Sequence, residues 1–332
     1  MKPVIEHAVE HIEQLALRVR NGERRALAKA LSILESTRPN DWDTQMHLLE
    51  LLYPYSGKAW RVGITGPPGV GKSTLIEALG NVIVAAGHRL AVLAIDPAGA
   101  RRGGSILGDK LRMTTLASNS SAFIRPSSNR GSNSAISTRL RESILTCEAA
   151  GYDVIIVETV GAGQSDVSIA DATDMVIVVT IPNAGDEIQG IKRGVMECAD
   201  LVLVNKSDLN VADTKRASAL LNRALQLFPP RFPDWESQAV VISAITGEGI
   251  HQVWELCQAF FSVPRSSTIA QQRRLQRRVW FDATLMQRLI YHFQSHSELR
   301  HLLDTLRTAV EDGTLLPPRA ATNALDTFTQ RQ

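Results

Sequence analysis

The pattern of apolar and polar residues changes twice along the chain. Residues 1–56 carry apolar positions at helical spacing, such as Ile12, Leu15 and Val19, and this pattern predicts a helical segment. From residue 60, short apolar runs alternate with amphipathic stretches. The runs are WRVGIT, LAVLAI, AFIR, DVIIVE, DMVIVVT, DLVLVN and QAVVIS. Runs of this kind are typical of strands buried on both faces, so they predict an α/β fold with a mostly parallel sheet of about seven strands between helices.

The chain after residue 263 returns to a helical pattern. It begins with polar residues and continues with an apolar stripe on one side of a predicted helix. The stripe consists of Val279, Leu285, Met286, Leu289, Ile290 and Phe293. We therefore expect three parts: an N-terminal helical segment over 1–56, an α/β domain over 57–263 and a C-terminal helical dimerisation arm over 264–332. The alternative to a dimerisation arm is an amphipathic helix that lies on a membrane surface, because four arginines cluster near the start of this part. These are Arg273, Arg274, Arg277 and Arg278.

Composition narrows the class of protein only slightly. The 332 residues include 36 basic and 34 acidic side chains, a net charge of +2, so no electrostatic footprint for nucleic acid is evident. The amino terminus, MKPVIEHAVEHIEQ, lacks the apolar run of a signal peptide, and no stretch approaches the length that spans a bilayer. We expect a cytoplasmic protein. Its three cysteines form no CxxC pair and are expected to be reduced, buried thiols.

A phosphate-binding loop follows the first predicted strand. In GITGPPGVGKST, the residues Gly66, Gly71, Lys72 and Ser73 match GxxxxGK[ST], which predicts a P-loop NTPase. The glycines let backbone N–H groups close around the phosphates, Lys72 supplies charge to the β- and γ-phosphates, and the Ser73 hydroxyl binds magnesium. The predicted nucleotide-binding residues in this loop are Gly66, Pro67, Pro68, Gly69, Val70, Gly71, Lys72, Ser73 and Thr74.

Three carboxylates are placed to complete a magnesium site. Asp96 ends the second predicted strand, Glu158 ends the run DVIIVE, and Asp109 closes the loop IDPAGARRGGSILGDK. Magnesium takes oxygen ligands and often recruits carboxylates beside substrate phosphates, so Ser73, Asp96, Asp109 and Glu158 are the predicted metal ligands. The alternative is structural, because aspartate is also favoured in turns and at the start of helices.

A guanine-reading signature follows the run DLVLV. It consists of Asn205, Lys206, Ser207 and Asp208, which fit NKxD. The Asp208 carboxylate can accept from guanine N1–H and the 2-amino group, whereas adenine offers neither proton, so the motif favours GTP over ATP. After the last predicted strand come Ser243, Ala244 and Ile245, where the Ala244 N–H is predicted to donate to guanine O6. A helix cap is the alternative interpretation of NKSD.

The stretch ETVGAGQSD, from Glu158 to Asp166, is placed as the second switch of a GTPase. Gly161 is predicted to sense the γ-phosphate through its backbone. The next residue is Ala162, so the glutamine that orients water in Ras-like proteins is absent from that position, and slow hydrolysis is expected. Gln164 is the candidate for positioning water, with an ordinary exposed loop residue as the alternative.

The chain resembles the MeaB/ArgK family of P-loop GTPases over roughly residues 10 to 300. The resemblance is carried by GPPGVGKST, GGSILGDKLRM, DVIIVETVGAGQSD, PNAGDEIQGIK and NKSD. Proteins of this family act with adenosylcobalamin-dependent acyl-CoA mutases such as methylmalonyl-CoA mutase. The resemblance implies a Mg²⁺- and GTP/GDP-dependent homodimeric chaperone that gates cofactor loading and protects the mutase.

The resemblance also implies roles for individual residues. It assigns Lys72, Asp96, Asp109, Glu158 and Lys192 to the nucleotide and metal site, and Gln164, proposed above from the second switch, completes the predicted catalytic set. The third switch, which relays nucleotide state to the mutase, contains Asp186, Glu187, Gln189 and Lys192. The chain departs from the family where members commonly read DPSS and SPSRG. Here Arg101 and Arg102 follow DPAGA, and the second stretch reads SSNRG.

Other functions stay open from the sequence. One is a nucleotide-dependent kinase or ATPase of an amino-acid (arginine/ornithine) transport system, which NKSD and the lack of an HRD or DFG set disfavour. Another is a metallochaperone GTPase, for which only His7 and His11, four residues apart, offer a weak metal-binding pair. A nucleotide-binding scaffold without hydrolysis is the third.

Overall fold

The computed structural model describes residues 2–96, 113–128, 133–159, 169–182, 193–262, 265–295 and 297–329. Its centre is a seven-stranded sheet in the order β3-β2-β4-β1-β5-β6-β7, and all paired strands are parallel. The strands are β1 (Trp60–Thr65), β2 (Leu90–Asp96), β3 (Ala122–Ser128), β4 (Val154–Thr159), β5 (Met175–Thr180), β6 (Leu201–Val204) and β7 (Gln238–Val241). The predicted α/β fold with a parallel sheet is confirmed.

Helices from the part of the chain before residue 277 cover both faces of this sheet. The described helices are α1 (Lys2–Arg20), α2 (Arg24–Leu34), α3 (Trp42–Leu52), α4 (Lys72–Ala85), α5 (Thr114–Ser118), α6 (Asn133–Ala149), α7 (Arg193–Glu197), α8 (Val211–Leu225), α9 (Ile250–Phe260), α10 (Ser266–Ser295), α11 (Ser297–Glu311) and α12 (Pro317–Thr329). Short 3₁₀ turns lie at Pro39–Asp41 and Tyr53–Tyr55. Local sequence sets some of the boundaries. For example, the Asn210 side chain accepts from the N–H groups of Ala212 and Asp213, which starts α8.

Successive strand residues point to opposite faces, so each strand contributes to two apolar cores. In β4, Ile155 belongs to one core and Ile156 to the other. The first core includes leucines of the N-terminal helices α2 and α3, and these side chains are almost completely buried. They are Leu27, Leu31, Leu34, Leu48 and Leu52. These leucines belong to the same core as strand residues such as Ile155, so the helices share the core of the α/β domain. Each fully buried leucine contributes about 1.5–3 kcal/mol to the stability of that core.

The chain divides into two compact units, Met1–Gln276 and Arg277–Gln332. The predicted division at 56/57 and 263/264 into three functional parts stays a prediction. In the second unit, the ring of Phe328 in α12 packs against Phe293 in α10, with centroids 5.2 Å apart. Among the described residues, no helix is long and apolar enough to cross a membrane.

An ion-pair network fixes the first turns of α10 to the first unit. Arg273 donates to both carboxylate oxygens of Asp174, at 2.6 and 2.8 Å, and to the carbonyl oxygens of Gly57 and Ala59. Burial lowers the pKa of Arg273, but hydrogen bonding and attraction to Asp174 raise it by more. Arg273 is therefore charged and holds the first turns of α10 beside Asp174, the residue before β5.

Candidate nucleotide site

The P-loop lies between β1 and α4, where residues 66–71 connect Thr65 to Lys72. Gly66, Gly69 and Gly71 have φ angles of +145°, +82° and +95°, which favour glycine. A Cβ on Gly66 would collide with the carbonyl of Val179 in β5. The Lys72 ammonium is buried and donates to the carbonyl oxygens of Gly66, at 2.7 Å, and Pro67, at 3.0 Å. The glycines thus lie in one turn between β1 and α4, Lys72 begins α4, and their roles toward the phosphates stay a prediction.

Ser73 and Glu158 meet at the carboxyl end of the sheet. The Ser73 hydroxyl donates to Glu158 Oε1 at 3.0 Å. The contact follows from strand order, because β4 lies beside β1 and Glu158 is in register with Ile64. One residue further, the Thr159 hydroxyl donates to that of Thr65 at 2.8 Å. A buried carboxylate beside a hydroxyl at the start of the P-loop helix supplies hard oxygen donors, which fit Mg²⁺.

Asn205 joins the phosphate loop to both predicted base-reading loops. Its Nδ2 donates to the carbonyl of Val70 at 2.8 Å, and its Oδ1 accepts from the Ala244 N–H at 2.9 Å. The side chain is buried, with 2% of its surface exposed. The predicted donation from Ala244 to guanine O6 stays a prediction, and it competes with this internal hydrogen bond.

Asp208 is exposed beside this buried link. One of its carboxylate oxygens, Oδ1, accepts from the Ser243 hydroxyl at 2.5 Å. Lys206 adopts φ 66°, a left-handed conformation that side-chain-bearing residues rarely take. Ile245 follows on the second loop and is 75% exposed. The structure thus brings together Asn205, Asp208 and Ser243 from the two loops.

Several predicted residues lie outside the described residues. These are Arg101, Arg102 and Asp109 of the first switch, Gly161 and Gln164 of the second, and Asp186, Glu187, Gln189 and Lys192 of the third. The backbone of Asp96 ends β2, in register with Ser128, and its side chain is not among those described. Within the described part of the chain, no group of three or more His, Cys, Asp or Glu residues could hold a metal ion.

Two contacts near the site had no counterpart in the sequence predictions. The Thr65–Thr159 hydroxyl pair joins the ends of β1 and β4, and the Ser207 hydroxyl donates to Glu248 Oε2 at 3.0 Å. A threonine at the end of each buried run was a readable signal for the first contact. Nothing in the spacing of Ser207 and Glu248 indicated the second, because it depends on how two loops 41 residues apart meet.

Comparison with known proteins identifies the family. The protein-family model described as "Methylmalonyl Co-A mutase-associated GTPase MeaB" matches residues 27–298 of this chain. The chain is a MeaB-family GTPase. Among its MeaB-family relatives, the mouse protein "Methylmalonic aciduria type A homolog, mitochondrial" is 38% identical, over 96% of this chain and 80% of its own length. "GTPase ArgK" of Escherichia coli is 39% identical, over 95% and 96%.

Solved structures agree with the fold of this MeaB-family chain. The crystal structure of the "LAO/AO transport system kinase" superposes with a TM-score of 0.73 at 32% identity, and the match covers 96% of this chain and 97% of that one. The P-loop GTPase fold predicted from GPPGVGKST and NKSD is therefore confirmed.

Proposed function

We propose that this GTPase binds its nucleotide between the P-loop, residues 66–74, and a guanine site that contains Asp208. The observation that supports the proposal most directly is the pair of hydrogen bonds made by the Asn205 side chain. Its Nδ2 lies 2.8 Å from the carbonyl oxygen of Val70 in the phosphate loop, and its Oδ1 lies 2.9 Å from the N of Ala244 in the second base loop. A single buried amide thereby sets the distance between the phosphate and base ends of the site. The exposed Asp208 carboxylate supplies the acceptor that guanine satisfies and adenine does not.

Magnesium would be held by Ser73 and Glu158, with Asp96 and Asp109 as the further ligands that the sequence predicts. When bound beside the phosphates, the ion neutralises charge that develops on the phosphoryl oxygens. Lys72 adds a fixed positive charge at the same place. Ala162 supplies no group to orient water, so hydrolysis by the protein alone is slow, and Gln164 and Lys192 are the residues proposed to assist it. Gly161 would sense the γ-phosphate.

We further propose that nucleotide state is passed to an adenosylcobalamin-dependent acyl-CoA mutase, which the protein serves as a chaperone. The description of the matching family supports this role, and so does the name of the mouse relative. The partner surface would be the third switch, with Asp186, Glu187, Gln189 and Lys192. A cytoplasmic location belongs to the same proposal. A kinase of an amino-acid transport system is the second candidate, because the similar solved structure is named "LAO/AO transport system kinase".

Complex formation tests the chaperone role. Methylmalonyl-CoA mutase from the source organism is mixed with the protein in GDP or in a non-hydrolysable GTP analogue, and the complex is measured by size-exclusion chromatography with light scattering. We expect a complex whose affinity depends on which nucleotide is bound. The Lys72→Ala variant serves as the control, because its complex is expected to lose that dependence. No complex under any nucleotide would contradict the proposal.

The apolar stripe on the distal half of α10 supports a homodimer. Five of the six stripe side chains are between 44% and 58% exposed in a single chain: Val279, Leu285, Met286, Leu289 and Ile290. Phe281, on the same helix, is 65% exposed. Exposed apolar patches of this kind mark interaction sites. Phe281→Asp is expected to shift the protein to monomer in analytical ultracentrifugation, whereas Arg278→Asp, at an exposed polar position nearby, keeps the dimer. A monomeric wild-type protein would refute the dimer.

A further inference from the structure

The base loop that carries Asp208 needs support from outside itself. Lys206, two residues before Asp208, holds the left-handed φ of 66°. Such a conformation persists in a residue with a side chain only when the surrounding structure fixes it. The carboxylate of Asp208 is exposed, so packing of its own side chain does not orient it. The neighbouring loop after β7 supplies part of this support.

Hydrogen bonds cross between the two loops in both directions. The Ser243 hydroxyl of the second loop donates to Asp208, and the Ser207 hydroxyl of the first loop donates to Glu248 Oε2 at 3.0 Å. The Ser207 N–H also donates to the carbonyl of Ile242, at 3.1 Å. Ser207 is 1% exposed, so its hydroxyl would be costly to leave without an acceptor.

The turn that carries Glu248 is closely constrained. Glu248 stands between Gly247 and Gly249, whose φ angles are +82° and +76°. A Cβ on Gly249 would lie 2.8 Å from the carbonyl oxygen of Val241. In addition, the Glu248 carbonyl accepts from the Ser243 N–H at 3.0 Å. The backbone at Glu248 is thus fixed on both sides, and its carboxylate, although the residue is exposed, is directed at the buried Ser207.

We infer that Glu248 is a positioning residue for guanine recognition: through Ser207 it fixes the loop on which Asp208 meets the base. The inference rests on the proposed guanine site. Glu248 does not touch the nucleotide in this scheme. Its loss leaves Ser207 without its acceptor and lets the Lys206–Asp208 turn relax, which weakens nucleotide binding while the phosphate chemistry at Lys72 is unchanged.

The test compares Glu248→Ala with Glu248→Gln, which keeps an oxygen acceptor but no charge. For Glu248→Ala, we expect GDP and GTP to bind about five- to tenfold more weakly, a loss within the range of one ordinary hydrogen bond, and kcat at saturating GTP to stay within about twofold. Glu248→Gln is expected to recover most of the affinity. The matched control is Glu255→Ala, an exposed glutamate on α9, which should bind like wild type.

A double-mutant cycle supplies the second readout. Because Ser207 and Glu248 act as a pair, the Ser207→Ala and Glu248→Ala effects on GDP affinity should be strongly non-additive. The inference is overturned if Glu248→Ala binds like Glu255→Ala, if Glu248→Gln is as weak as Glu248→Ala, or if the two effects add.

Asp208→Asn separates this inference from the guanine site itself. If it leaves the preference for GTP over ATP unchanged, the guanine site fails. If it abolishes the preference while Glu248→Ala has no effect, the guanine site stands and only the inference about Glu248 fails.

Discussion

Replacing Gly71 by alanine tests the link between the phosphate and base ends of the site. Gly71 has φ +95°, and an added Cβ would lie 2.6 Å from Nδ2 of Asn205. Asn205 is buried and cannot retreat without releasing Val70 and Ala244. The left-handed conformation costs an alanine about 1–2 kcal/mol. Losing two hydrogen bonds adds about 1–3 kcal/mol, at roughly 0.5–1.5 kcal/mol each.

Gly87 provides the matched control for the strain alone. Its φ is +93°, and an added Cβ would meet no atom within 4 Å. In urea unfolding without nucleotide, the difference between Gly71→Ala and Gly87→Ala therefore isolates the contact with Asn205, about 1–3 kcal/mol. If the Asn205 contact positions the phosphate loop for nucleotide, losing about 1–3 kcal/mol of it is expected to weaken the affinity for GDP roughly 5- to 150-fold.

Urea unfolding and GDP titration calorimetry measure the two quantities on the same variants. We expect Gly87→Ala to lose a little stability and to bind GDP normally, and Gly71→Ala to lose more stability and most of its affinity. Equal unfolding free energies and equal GDP affinities for the two variants would refute the role of Asn205 as the bridge.

Two further predictions concern charge. Lys72→Ala should abolish GTP hydrolysis in a phosphate-release assay while the far-ultraviolet circular dichroism stays native, and retained turnover would contradict the P-loop assignment. Burial raises the pKa of Asp200 from 3.8 to about 7, although Arg231 lies 2.5 Å away and favours the charged form. The folded state binds this proton more tightly, so the contribution of Asp200 to stability is present below pH 3.8 and is lost as the pH rises to 7, at up to about 1.4 kcal/mol per pH unit. Urea unfolding between pH 5 and 7.5 should show this slope, and Asp200→Asn should remove it; an unchanged slope would contradict the buried carboxyl as its source.

Apolar periodicity was enough to predict the sheet, because a strand buried on both faces must be almost wholly apolar. β4 and β5, with every residue buried, were therefore readable in the runs DVIIVE and DMVIVVT. Residues at strand ends were also predictable in part. Glu158 was expected near Ser73, since parallel neighbours share one edge, and the two are 3.0 Å apart.

Contacts between loops distant in sequence could not be predicted in the same way. The Asn205 bond to Val70 spans 135 residues and depends on how two turns meet in space, which no local pattern records. The N-terminal helices were readable as helices, but the pattern gave no sign that their leucines share a core with the sheet. Periodicity identifies an apolar face without identifying what covers it.

GTP turnover with and without an adenosylcobalamin-dependent methylmalonyl-CoA mutase tests the central proposal most directly. The rates of phosphate release from GTP and from ATP are measured in parallel, alone and with saturating mutase. We predict slow GTP hydrolysis that the mutase stimulates several-fold, with little release from ATP under either condition. Unchanged GTP turnover in the presence of the mutase, together with transfer of radiolabelled phosphate from ATP to an amino-acid-binding protein, would contradict the proposal and favour the transport kinase.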